Sequence, residues 1–245
     1  MRRHVGLFLL LPLLGIAAHA QQPAAAATPR TTPPVGQGVD GDWAFIGRYR
    51  DANVPLIAKA ASRRVVFMGD SITQGWAAQP FIRDNPDYVG RGISGQTTPQ
   101  MLVRFRSDVI ALKPAVVHIM AGTNDLAQNT GHESPQEIEG YIRSMVELAL
   151  ANRIRVVLAS IPPAIDFGWR RGLVPAPQIR ALNDWLREYA AHRGLVYADY
   201  WSALASADGA MKPEYSSDGV HPNAAGYEAM RPLARAAIDR ALRRR

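Results

Sequence analysis

Cysteine is absent from the 245 residues, which excludes disulfides and thiolate metal ligation and leaves burial of apolar surface as the source of stability. No HExxH segment occurs and the histidines do not fall at ligand spacing, so no metal is expected. The G-x-S-x-G elbow of α/β hydrolases is missing as well. Lysine is scarce: Lys59, Lys113 and Lys212 stand among 28 basic residues, and the arginines are scattered apart from the run Arg243-Arg244-Arg245. Aromatic residues are not interleaved with these cations in the way that stacks bases, so a solvated basic surface is expected and nucleic acid is not. Beyond residue 20 no stretch is long and apolar enough to span a bilayer.

The first twenty residues differ from the rest. Arg2 and Arg3 precede an apolar run from Val5 to Ala18, and Ala18-His19-Ala20 follows. A charged start, a short apolar core and a small-residue cleavage site predict a signal peptide over 1–20. A membrane anchor would need about 20 apolar residues, and Pro12 and Gly15 interrupt this shorter run. Export to the periplasm or the medium is therefore expected, and loss of Arg2 and Arg3 would lower the net charge from +7 to +5. Residues 21–40 are rich in Pro, Ala, Thr and Gly with almost no large apolar side chain; they cannot bury enough surface to offset ordering and read as a disordered lead-in. One folded domain is expected over 41–245.

Within that domain, short apolar runs alternate with helical patterns. Strands are expected at Arg64–Met68, Asp87–Val89, Val116–Met120, Ile154–Ala159 and Leu195–Ala198. One amphipathic helix carries Met101, Leu102, Phe105, Val109 and Leu112, and a second carries Ile138, Tyr141, Ile142, Met145 and Leu148. A third spans about Pro177 to His192 with Ile179, Leu182, Trp185 and Leu186 inward, and a last runs from about Asn223 to Leu242. Alternation of this kind predicts an α/β fold with a parallel sheet covered on both faces.

In such a sheet ligands bind beyond the carboxyl ends of the strands, and the reactive residues collect there. Gly69-Asp70-Ser71-Ile72-Thr73 follows the first strand, Gly92-Ile93-Ser94-Gly95 the second, Gly122-Thr123-Asn124-Asp125 the third, and Asp218-Gly219-Val220-His221-Pro222-Asn223 comes after the fifth. These are the parts that acyl transfer needs. A serine requires a neighbouring base, and the tetrahedral oxyanion requires donors already in place. His221 can act as base on Ser71, with Asp218 orienting its ring; the backbone N–H groups of Ser71 and Gly95 and the Asn124 amide can form an oxyanion hole.

The segments GDSIT, ISGQTT, GTND and DGVHPN resemble, in order and spacing, the four sequence blocks of the SGNH or GDSL-type esterase and lipase family. The resemblance runs from about Arg63 to the C-terminus. It implies a flavodoxin-like three-layer α/β/α sandwich with a five-stranded parallel sheet, Ser71 as nucleophile, Gly95 and Asn124 in the oxyanion hole, Asp218 and His221 completing the triad, and no cofactor. GTND stands where many relatives have GGND, and GDSIT ends in Ile-Thr where many have Leu-Ser; neither touches a catalytic group.

Other residues invite blander readings. Asp70 is expected to cap the following helix, and Asp125 to organise its loop. His118 lies in an apolar strand and reads as a satisfied core residue, while His132 and His192 read as surface groups. Gly90-Arg91-Gly92-Ile93-Ser94-Gly95 fits a dinucleotide fingerprint, but the next strand ends without an acidic residue, and glycines permitting a tight turn are the simpler reading. The connection Pro162–Pro177 is expected to bring Phe167, Trp169, Arg170 and Arg171 to the rim, with Trp169 and Arg170 contacting substrate. An aromatic and guanidinium wall suits a small ester or an acetylated carbohydrate, so short acyl esters are expected. A lysophospholipase or thioesterase type of acylhydrolase, and a non-catalytic envelope or polysaccharide-binding module on an esterase scaffold, are the alternatives.

Overall fold

Three of the strands begin as segments with paired valines, at 65–66, 116–117 and 156–157, which tolerate burial on both faces. The computed structural model describes residues 41–244; the expected leader over 1–20 and lead-in over 21–40 lie outside them. The strands are β1 (Val65–Gly69), β2 (Tyr88–Gly92), β3 (Val116–Met120), β4 (Arg155–Ala159) and β5 (Val196–Ala198). The helices are α1 (Arg50–Ala58), α2 (Ser71–Ala77), α3 (Pro80–Arg83), α4 (Thr98–Asp108), α5 (Thr123–Leu126), α6 (Pro135–Ala151), α7 (Pro175–His192), α8 (Trp201–Leu204) and α9 (Ala224–Arg243).

All strand pairs are parallel, in the order β2-β1-β3-β4-β5. The expected flavodoxin-like sandwich is therefore the observed fold. Side chains alternate along each strand between two cores. Val66, Met68, Val117, Ile119, Val156 and Leu158 pack with Met101 and Phe105 of α4, Ile142 and Met145 of α6 and Ile179 and Leu186 of α7. Val65, Phe67, Val116, Met120, Val157 and Ala159 pack on the other face with Ile72 and Trp76 of α2 and Met230 and Ile238 of α9. The chain reverses its direction of sheet growth between β1 and β3, which makes the gap beyond their carboxyl ends the natural ligand crevice.

Three expectations change. The second strand is longer than expected and takes in Gly90-Arg91-Gly92, so the dinucleotide-like glycines lie largely inside a strand and do not form a turn before a helix. Their function is close approach: a Cβ on Gly92 would sit 2.2 Å from the Gln74 nitrogen of α2. Helix α4 stops at Asp108, and the following Ile110–Leu112 is a 3₁₀ turn, so Val109 and Leu112 reach the core from outside the helix. Phe167 is wholly buried in the α4/α6/α7 core and does not line the rim.

Candidate active site

Helix α2 starts immediately after β1, and its first turn carries the serine. Asp70 is its N-cap, accepting from Ile72 N at 2.9 Å, the role expected of it. Burial pushes the Asp70 carboxyl up to about 6, against the lowering pull of the Ile72 N–H and of charge on His221. Ser71 thus occupies the first helical position, where a backbone N–H has no intrahelical acceptor.

The partner residues arrive on a self-contained turn between α8 and α9. Asp218 Oδ1 accepts from Val220 N at 2.9 Å and His221 N at 2.8 Å, and its Oδ2 lies 2.7 Å from His221 Nδ1. Ser216 Oγ sits beneath them, accepting from Gly219 N at 2.9 Å and lying 2.8 Å from the His221 carbonyl oxygen. Burial alone would raise the Asp218 carboxyl, but the His221 N–H, the His221 ring and the Val220 N–H hold it down at about 2. It is therefore an acceptor only, and His221 Nδ1 must carry the proton. The opposite ring nitrogen, Nε2, is 2.9 Å from Ser71 Oγ and is left to accept from it. Three side chains separated by up to 150 residues form one hydrogen-bonded line.

The groups expected to form an anion cradle with the Ser71 N–H lie on the β2–α4 loop and on α5. Gly95 has φ +77°, a conformation that glycine adopts without strain, and the Ser94 N–H is tied to Gln74 Oε1 of α2 at 2.8 Å. Among the described residues, neither the Ser71 nor the Gly95 backbone N–H donates to an acceptor. Asn124 starts differently: its Nδ2 donates to the Gln96 carbonyl at 3.1 Å and to Asp70 Oδ2 at 3.3 Å. One of these bonds must be exchanged before the amide serves an oxyanion, and the longer is the weaker.

The rim residues separate. Trp169 is 40% exposed with its ring centroid 6.2 Å from that of His221, so it reaches the site as expected. Arg170 is exposed as well, but two of its nitrogens are engaged: its Nε donates to Ala127 O at 3.1 Å and its Nη2 to Gln128 O at 2.5 Å, clamping the segment after α5. Arg171 is exposed. Asp125 organises its loop as expected, accepting from Thr98 N and Oγ1 at 2.8 Å and 2.5 Å. His118 is a core residue, but only half satisfied: Nε2 lies 2.8 Å from Tyr200 Oη and Nδ1 has no partner among the described residues. Burial pushes His118 down to about 3. His132 and His192 are exposed.

Two contributors escape sequence reading. Ser216 lies two residues outside the DGVHPN segment, and Asn129 is a lone loop asparagine with no periodic or motif signal.

A family model described as the GDSL-like lipase/acylhydrolase family matches residues 67–229, a span that contains Ser71, Gly95, Asn124, Asp218 and His221. The chain belongs to that family. As a GDSL-type member it is a serine hydrolase acting on carboxylic ester bonds, which sets aside the non-catalytic alternative. The crystal structure of a GDSL-like lipase from Bacteroides thetaiotaomicron is 45% identical, with a TM-score of 0.76, and the match covers 81% of this chain and 98% of that one. Esterase TesA of Pseudomonas aeruginosa is 28% identical over 70% of this chain and 85% of its own. An acetylxylan esterase of Geobacillus stearothermophilus is 27% identical over 57% of this chain and 66% of its own. Among the described residues, no helix is long and apolar enough to cross a membrane.

Proposed function

We propose that this GDSL-type hydrolase is an exported esterase that removes short acyl groups, above all acetyl, from carbohydrate through an acyl-enzyme on Ser71. The observation that carries the proposal is the hydrogen-bonded line from Ser71 Oγ through His221 to Asp218, at 2.9 Å and 2.7 Å. Ser71 passes its hydroxyl proton to His221 Nε2 as Oγ attacks the ester carbonyl, and Asp218 holds the resulting imidazolium. The carbonyl oxygen, now an anion, takes hydrogen bonds from the unoccupied N–H groups of Ser71 and Gly95, joined by Asn124 as it releases Asp70. Collapse expels the alcohol, which leaves with the proton from His221. Water then attacks the acyl group with His221 again as base, and acetate leaves as Ser71 recovers its proton.

Acetyl and carbohydrate are supported by three features. The His221 and Asp218 side chains are 37% and 52% exposed, an open position accessible to a bulky hydrated alcohol. Trp169 offers an exposed ring beside the base, a surface suited to the apolar face of a sugar. One relative is named an acetylxylan esterase. Export is supported by the charged, apolar and small-residue order of residues 1–20.

A hollow of about 170 Å³ beside α5, walled by Leu126, Ile138 and Leu182, favours a second reading, an acylhydrolase of longer chains such as a lysophospholipase or thioesterase. Purified protein assayed on aryl acetate, octanoate and palmitate, and for acetate release from acetylated glycans, separates the two. Fastest turnover of acetate is expected, and a preference for palmitate would overturn the short-chain proposal. Ser71→Ala is expected to remain folded and lose several orders of magnitude in turnover; near-normal turnover would remove the mechanism.

A further inference from the structure

Asn129 joins three segments that meet around the site. Its backbone N–H donates to Asn124 O at 3.0 Å, anchoring it one turn beyond α5. Its side-chain Nδ2 donates to the Gly95 carbonyl at 3.1 Å and to Asn124 Oδ1 at 2.8 Å. Its Oδ1 accepts from the Trp169 indole Nε1 at 3.0 Å. These three side-chain bonds go to two residues expected in the anion cradle and to the aromatic residue beside His221.

We propose that Asn129 is a positioning residue that sets the two movable oxyanion donors, Gly95 and Asn124, and that Trp169 couples substrate contact to their alignment through it. The inference rests on the acyl-transfer reading of Ser71. Gly95 pivots at a positive φ, so the direction of its N–H depends on what holds its carbonyl, and Asn129 holds it. The Asn124 carboxamide is planar and turns as a unit, so the same Asn129 nitrogen, by holding Oδ1 at 2.8 Å, sets the plane in which the two Nδ2 hydrogens are aimed. Trp169 is exposed on the rim while its N–H reaches inward to Asn129. A substrate alcohol resting on that ring presses on the same carboxamide that aligns the cradle. Remote contact of this kind raises turnover and leaves ground-state affinity nearly unchanged.

The test is steady-state kinetics on aryl acetate, with affinity for an alkyl boronic acid that forms a tetrahedral adduct on serine. Removing an oxyanion donor outright costs about 10²–10³ in kcat, so misaligning two donors through Asn129→Ala is expected to cost about tenfold to a hundredfold. KM should stay within about twofold and boronate affinity should fall in step with kcat. Trp169→Phe keeps the ring and loses one donor; kcat is expected to fall about threefold, and the double variant should be no slower than Asn129→Ala alone. Unchanged kcat in folded Asn129→Ala, an effect on KM alone, or a double variant slower by the product of both factors would overturn the proposal. Should Asn129→Ala fail to fold, Trp169→Phe decides, since unchanged kcat there removes the coupling. Failure of the underlying reading is distinguishable, because it appears as activity in Ser71→Ala whatever Asn129 does.

Discussion

The two ends of the Ser71–His221–Asp218 line are held by opposite physics. Behind the serine the structure is dry: Arg104 and Asp108 form an ion pair at 3.1 Å with neither side chain exposed, and Arg104 also donates to Gln96 Oε1 at 2.5 Å and to the Gly69 carbonyl at 3.1 Å. Gly69 ends β1 and Gln96 O receives Asn124, so this buried network fixes the strand end and the Asn124 amide together. The Asp218–His221 turn is wet, about half exposed, and organised mainly by its own hydrogen bonds to Ser216 and Asp218. Ser71 is placed by the global fold and His221 by a local turn. Damage to the first should appear as lost stability, and damage to the second as lost rate.

The largest expected effect lies on the wet side. Asp218→Asn puts an amide where only an acceptor serves, favours the wrong tautomer of His221, and is expected to lower kcat by about 10⁴ with little change in unfolding free energy; a loss below tenfold would show that the turn does not orient the base. Next, on the dry side, Arg104→Met leaves the Asp108 carboxylate buried without its partner. A fall of about 3–5 kcal/mol in unfolding free energy is expected in urea titration, and a fall below about 1 kcal/mol would show that the pair does not hold this region.

What could be read from sequence divides along the same line. β1, β3 and β4 are continuous apolar runs because both their faces are buried, and their boundaries came within a residue of the observed ones. Ser71, Asp218 and His221 were legible as candidates because they sit in short segments whose chemistry is local. β2 was cut short at Val89, since glycine is depleted in strands and Gly90 and Gly92 are there to admit α2. Arg104 and Asp108, four apart on α4, look on paper like a solvated helix pair, and only the packing of α1 and the β2–α4 loop over them makes them core. Phe167 is expected on the rim because a loop sequence carries no periodicity to say which way a side chain turns. Asn129 had no signal at all, because its importance lies in what three distant segments bring to it.

A third expectation concerns the border between the two regions. Asp125 and Glu133 face one another with one oxygen each lacking another partner among the described residues. Burial, then the charge of Asp125, push Glu133 up to about 8, and a proton shared between the two carboxyls is the expected consequence. A carboxyl whose pKa is raised on folding stabilises fully below its unfolded value, and the stabilisation fades as pH rises through the folded one. Stability should therefore decline from about pH 4.5 to about 8, from the values for Glu133, with Asp70 adding a decline that ends near pH 6. Glu133→Gln supplies the shared hydrogen permanently and should flatten the upper part of the decline, as followed by thermal midpoints from pH 5 to 9; an unchanged slope would contradict the shared proton.

The smallest effect is expected for Ser216→Ala, which keeps the turn but removes the hydroxyl beneath it. Stability should fall by about 1 kcal/mol and kcat/KM by about tenfold. A stability loss without any rate loss would mean that the wet turn is held by something other than its own hydrogen bonds.

The most direct measurement is covalent. Purified protein treated with a fluorophosphonate and digested for mass spectrometry should carry one adduct, on the peptide bearing Ser71, at a rate that collapses in His221→Ala while the fold persists. An adduct on another serine, or labelling of Ser71 that proceeds equally fast without His221, would contradict the account.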